Sequence, residues 1–291
     1  MSYKLQLLKE SLIPITTQDL INIGPIPSID PTKQVAIVID SFLRDKCLLI
    51  LLKSIFQFAP HYKIYITDQG IYSKEKDALF CLLKVAGHTI INCGFDAGLG
   101  QCHKKIVEFV TEPYIFFCHE DALFTSKTNL ESMVNIIKLN RYRLGWLSPS
   151  SLFNQPSHLL LKNLNLAITP LEVEFKNSHR DPFICDIAGT QGLVKSTLFS
   201  SIQYDAQFKM NETLDLMLNM KFNTVNRVAI TNQSILWHQE PCENPIYLQY
   251  RHREWYYDQL LRTKWQFTSI NGRKIKRDNT KFLYVMEENN V

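Results

Sequence analysis

The chain has 291 residues, 45% of them hydrophobic and 21% charged, and carries a formal net charge of +4. That balance belongs to an ordinary globular protein with a large core, and the charge is too small to imply nucleic-acid binding by itself. No apolar run approaches the length of a membrane-spanning helix and the N-terminus lacks a charged-then-apolar signal, so a cytoplasmic location is the default expectation. The seven cysteines are scattered without Cys-x-x-Cys spacing, which argues against a disulfide framework or a structural zinc site. All seven are expected to pack as small apolar side chains.

Residues 1–33 contain Pro14, Pro25, Pro27 and Pro31 without a sustained period, and are expected to form an arm lying over the domain. Val35 to Ile39 is a β-branched run suited to a strand covered on both faces, ending at Asp40. Leu48, Leu49, Leu52, Ile55 and Phe56 fall at helical spacing before Pro60. A strand over Ile64 to Thr67 ends at Asp68, a helix is predicted over 74–85 with Gly87 as its stop, and Thr89 to Asn92 is a third strand. A helix opening at Gly98 places Leu99, Cys102, Ile106 and Phe109 on one face, and Tyr114 to Cys118 is strand four. Strands alternating with helices of this length imply parallel βαβ units with right-handed crossovers.

The second half is less regular. Gly145 to Leu147 and Phe183 to Ala188 are strand candidates, separated by an irregular segment, 148–181. Helices are predicted near 195–201 and 211–220, extended stretches over 227–230 and 234–237, and a helix in the aromatic and basic tail from Tyr247 to Trp265. That tail is expected to pack on the domain, with contact to a membrane surface as the second option.

Chemistry concentrates in two places. Phe95-Asp96-Ala97-Gly98-Leu99-Gly100 forms a glycine-bearing turn into a helix, and the strand from Tyr114 delivers His119-Glu120-Asp121 to its carboxyl end. Parallel sheets handle ligands at that end, and two acids there suit a divalent cation or the phosphates accompanying one. This order of elements resembles the nucleotide half of GT-A fold glycosyltransferases, where a strand ends in an Asp-x-Asp type motif. The nearest groups are family-two and β-1,4-N-acetylgalactosaminyltransferase-like enzymes, and the resemblance covers about Val35 to His238.

The resemblance implies an α/β GT-A fold, with a Rossmann-like nucleotide half over 34–125, an acceptor half over 126–240 and a C-terminal extension over 241–291. It implies transfer of a sugar from a nucleotide-diphosphate sugar, UDP-linked, to a glycan, lipid-linked or protein acceptor hydroxyl by inverting single displacement. No nucleic-acid partner is expected. Asp40, Arg44 and Asp68 stand where the family meets the nucleotide, and Gly98, Gly100 and Lys104 match its glycine-plus-basic helix. Taken singly, Asp40 and Asp68 read as capping or loop residues, and their joint placement at consecutive strand ends favours function. Asp121 fits the last acid of the motif, Glu120 its middle, and His119 replaces its first acid; with His238 these are the expected metal ligands. Imidazole favours manganese over magnesium.

Asp186 to Thr190, the basic start at Lys195 and the pair Tyr204-Asp205 resemble the family's acceptor half. Glu212 and Asp215 share a face of the helix after Asn211, and Glu212 is the first candidate for the general base with Asp215 second. Ordinary helix-start acids are the plain alternative. His103, His179 and His252 lack comparable context. Two rivals stand beside the transferase. One is a degenerate fold used only for binding, consistent with His119; the other is a sugar-phosphate nucleotidyltransferase, which normally has glycines where this chain has Asp40 to Arg44.

Overall fold

The computed structural model describes residues 14–151, 156–162, 164–171, 182–202, 205–239 and 245–270. The first half is a regular βαβ series: α1 (Thr17–Ile21), β1 (Val35–Ser41), α2 (Asp45–Phe58), β2 (Lys63–Asp68), α3 (Lys74–Val85), β3 (Thr89–Asn92), α4 (Leu99–Ile106) and β4 (Tyr114–His119). It continues through β5 (Ala122–Leu123), α5 (Leu130–Lys138), β6 (Leu144–Ser150), β7 (Ser157–Lys162), β8 (Asn165–Pro170), β9 (Phe183–Cys185), β10 (Gly192–Lys195) and α6 (Ser196–Ser201). The last elements are α7 (Glu212–Asn223), β11 (Arg227–Ile235), β12 (Trp237–His238), α8 (Pro245–Arg251), α9 (Glu254–Trp265) and β13 (Ser269–Ile270).

Eight strands form one sheet in the order β3-β2-β1-β4-β10-β6-β11-β9. β1 pairs in parallel with β2 and β4, so Ser41, Asp68 and His119 emerge at the same edge. β10 runs antiparallel between β4 and β6, interrupting an otherwise largely parallel sheet. Alternation along β1 supplies both cores: Val35, Ile37 and Ile39 pack beneath α2, α3 and α5, while Ala36 and Val38 face α4, α6 and α7. Such two-sided burial explains an apolar run without a polar face. A third cluster ties the β7–β8 hairpin to α7 and α9 through Leu159, Leu166, Leu218, Tyr257 and Leu261.

Several expectations need correction. The arm contains α1, whose capping box joins Thr16 and Asp19, and Ile15 and Ile23 enter the core on either side of it. Helix α4 ends at Ile106, which leaves Phe109 on the surface. The segment 148–181 is not irregular throughout, since β7 and β8 form a six-residue antiparallel ladder within it. The tail is two helices broken at His252 and Arg253. Cys47 is disulfide-bonded, whereas Cys81, Cys93, Cys102, Cys118 and Cys185 are free. Cys242, His179 and Tyr204 lie outside the described residues. Among the described residues no helix is long and apolar enough to cross a membrane.

One buried histidine gives this fold a pH signature. His88 is stacked on Phe56, accepts the Ile64 N–H at 3.2 Å, and is pushed down to about 4 by burial and then by the Lys63 charge. The native state keeps the ring neutral down to that value, while the unfolded chain takes up its proton near the ordinary 6.5. Stability therefore falls as pH drops through this window, by about 3 kcal/mol at most. Urea midpoints of the wild type and His88→Gln across the window should show a steeper acid loss in the wild type, and parallel slopes would remove His88 as the cause.

Candidate functional site

The carboxyl ends of β1, β2 and β4 open into a cavity of about 730 Å³, closed from the other side by α7, the turn at Gly189 to Gln191, and α8. At its floor Glu120 is buried and both carboxylate oxygens are engaged. Oε2 accepts the Phe42 N–H at 2.7 Å and Oε1 accepts Arg44 Nε at 2.7 Å. Arg44 reaches Asp121 as well, with Nη1 2.6 Å from Oδ2. Leu43, at φ +61, turns the chain in a left-handed conformation immediately before Arg44. A buried non-glycine residue rarely adopts that conformation unless its surroundings impose it. The Tyr247 ring from α8 covers the guanidinium, 4.2 Å from its centroid.

Burial raises the Glu120 carboxyl, while the Arg44 charge and the two N–H donors on its oxygens oppose that rise and favour the ionised form. Burial would also raise Asp121, but the His238 hydrogen bond and the Arg44 charge hold it well below the usual carboxylate range. His238 is raised by the same hydrogen bond, its Nε2 lying 3.2 Å from Asp121 Oδ2. The two-residue ladder between β12 and β5, pairing His238 with Ala122, brings this late histidine to the acids.

His119 also lines the cavity, but Glu120 is spent on Arg44 and the Phe42 backbone. Asp121 Oδ1 is the one atom of this acid pair left buried without a hydrogen-bond partner among the described residues. No three histidine, cysteine or carboxylate side chains among those residues gather as a metal would need. A cation at Asp121 would also meet Arg44. At about 4 Å, like unit charges repel by roughly 4 kcal/mol at an effective dielectric near 20, and a divalent ion by twice that. All four expected ligands, His119, Glu120, Asp121 and His238, line the one cavity, but Arg44 takes Glu120 and Asp121 and His238 takes Asp121, an arrangement that does not fit a metal.

The expected nucleotide residues divide. Asp40 and Gly98 line the cavity with Arg44. Asp40 accepts Thr67 Oγ1 at 2.5 Å and pairs with His103 Nε2 at 2.8 Å, so it anchors α4 to the strand ends. His103 was missed because nothing in its sequence context reveals that its ring is buried on Phe117. Asp68 lies outside the lining, where Lys76 Nζ sits 2.7 Å from it and 2.8 Å from Asp45. Burial raises the Asp68 carboxyl, with Lys76 opposing. Lys104 is exposed on α4 and also outside the lining. The Gly98 and Gly100 N–H groups are committed to Gln69 Oε1 and the Phe208 carbonyl, at 2.6 and 2.9 Å, so neither is available to cradle a phosphate.

Glu212 is buried, lines the cavity and accepts Thr213 Oγ1 at 2.7 Å. Asn211, left-handed at φ +62, turns the chain into α7 just ahead of it. Asp215, one turn on, points away. It accepts Trp265 Nε1 at 2.7 Å and pairs with Lys264 at 2.8 Å, tying α7 to α9.

Sequence reasoning missed the part played by α8. Tyr250 packs edge-on against Phe42 and Phe95 with centroids 5.1 and 5.9 Å apart, forming an aromatic wall. Arg253, just beyond α8, grips Asp96 through two nitrogens at 2.7 Å, and Lys209 joins at 2.8 Å. Arg251 also lines the cavity and has no carboxylate partner among the described residues. The alternation Tyr250-Arg251-His252-Arg253 was the available signal, an aromatic and basic run too dense for a plain solvated helix.

No family model matches this chain, and no curated protein does. Among solved structures the fold is similar to that of S. aureus TarS. A structure of TarS residues 1–349 aligns with a TM-score of 0.50 at 10% identity, over 71% of this chain and 60% of that one. A second TarS structure aligns at 0.51 and 9% identity over 73% of this chain and 38% of that one. A third, in complex with UDP, aligns at 0.50 and 10% identity over 72% and 61%. The chain thus spans less than two thirds of each. Strand order, with β10 antiparallel beside β4, and this likeness together give the chain a GT-A-like fold.

Proposed function

We propose that the chain transfers a sugar from a UDP-sugar to an acceptor hydroxyl, inverting the anomeric centre by single displacement. The observation that carries this reading is one carboxylate of the second half, Glu212, facing the strand ends of the first across a single cavity. The UDP held by a structure of similar fold supports the choice of nucleotide. In this reading the base lies against the aromatic wall of Phe42, Phe95 and Tyr250, where a flat ring gains contact at little ordering cost. The diphosphate meets Arg251, a cation that no carboxylate claims among the described residues. Glu212 accepts the proton of the acceptor hydroxyl as its oxygen attacks the anomeric carbon. The bond from that carbon to the phosphate oxygen breaks, and its electron pair leaves on UDP.

Calorimetry should show UDP binding the full chain at least tenfold more tightly than uridine, because the diphosphate adds charge-assisted contacts. Incubation with a panel of UDP-sugars should release UDP. Tight UDP binding without release from any donor would assign the site to nucleotide binding alone. No binding of either would overturn the nucleotide reading.

A further inference from the structure

The acid pair at the end of β4 comes with its own cation. We propose that Arg44 supplies, from within the chain, the positive charge that a divalent ion would bring to Glu120 and Asp121, so that a nucleoside diphosphate binds this crevice without metal. The nucleotide part rests on the function proposed above, whereas the metal part stands on geometry alone.

Arg44 bridges the two carboxylates, Nε to Glu120 at 2.7 Å and Nη1 to Asp121 at 2.6 Å. The Phe42 N–H takes the remaining Glu120 oxygen. The arrangement is held on every side: the Arg44 side chain is 9% exposed and that of Glu120 2%. Tyr247 lies over the guanidinium, and the left-handed turn at Leu43 sets its direction. Guanidinium matches carboxylates in shape and keeps its charge at any pH the fold survives, so this cation cannot be titrated away. A metal would have to displace a doubly paired, buried arginine. Lysine could supply the charge but not the fork that spans two acids.

The test titrates the full chain with manganese alone, then with UDP in the presence of either manganese or EDTA. The wild type is expected to show no manganese binding and a UDP affinity that agrees within about twofold in the two conditions. Arg44→Met removes the charge while keeping most of the stem. It is expected to bind manganese and to lose UDP affinity about tenfold or more in EDTA, with manganese restoring it. Arg44→Lys should remain indifferent to manganese. Stoichiometric manganese binding by the wild type, with weaker UDP binding in EDTA, would overturn the proposal. Should Arg44→Met fail to fold by circular dichroism, the wild-type and Arg44→Lys titrations still decide. If no form binds UDP, the nucleotide reading fails while the manganese titrations continue to judge Arg44.

Discussion

Glu212→Gln is expected to lose sugar transfer by about 100-fold or more while still binding UDP. The amide keeps the size of the carboxylate and can still accept from Thr213 Oγ1, but it cannot take the acceptor's proton. Its place in the cavity wall leaves packing unchanged, so the loss should appear in kcat at constant thermal midpoint. Asp215→Asn is the contrast. Asp215 sits outside the cavity and holds Trp265 and Lys264, so its amide should lower stability by about 1–3 kcal/mol and leave turnover per folded molecule nearly intact. The pair of variants is measured by turnover and by urea midpoint. Normal turnover in Glu212→Gln would send the search for the base to His238, whose ring reaches Asp121 at the same cavity.

Asp96→Ala is expected to destabilise the chain by about 2–4 kcal/mol and to weaken UDP binding about tenfold. Asp96 receives both Arg253 nitrogens and Lys209; Arg253 is buried, and Asp96 and Lys209 are partly buried. Removing the anion strands two cations in a poorly solvated place, which costs more than the pairing had contributed. Because Arg253 stands at the end of α8, the same loss loosens Tyr247, Tyr250 and Arg251 over the cavity. The double variant Asp96→Ala with Arg253→Met should recover part of the stability, since it removes one stranded charge, but not the UDP affinity. Unchanged midpoint and affinity in Asp96→Ala would show that α8 is held by its aromatic contacts alone.

The first half of the chain was legible because its signals are local. Val35 to Ile39, the helix before Pro60, the helix over 74–85 and the strand before His119 each repeat at the period of their own element, and tertiary packing reinforces that period. β10 and α5 were not legible. β10 is four residues long and owes its place to a slot between β4 and β6, and α5 follows an acid-rich turn that drew attention to ligands rather than to a helix start. The β7–β8 hairpin was hidden because its strands pair with each other and with β13, apart from a bridge from Ser157 to Ile187, and not with the main sheet.

What the sequence determined by itself was the carboxyl edge of the sheet: apolar runs ending in Asp40, Asp68 and Glu120-Asp121 follow from strand periodicity. What only the tertiary structure decided was the employment of each charge at that edge. Asp40 went to His103, Asp68 to Lys76, Asp215 to α9 and the acid pair to Arg44, while Glu212 kept its place on the cavity. The reason is physical. A carboxylate brought out of water must find a cation or donors, and the nearest one comes from whichever element folds against it, at separations of 31 residues for Asp45 and Lys76 and 157 for Asp96 and Arg253. No local pattern carries that choice, because each partner meets its acid only once the layers have packed.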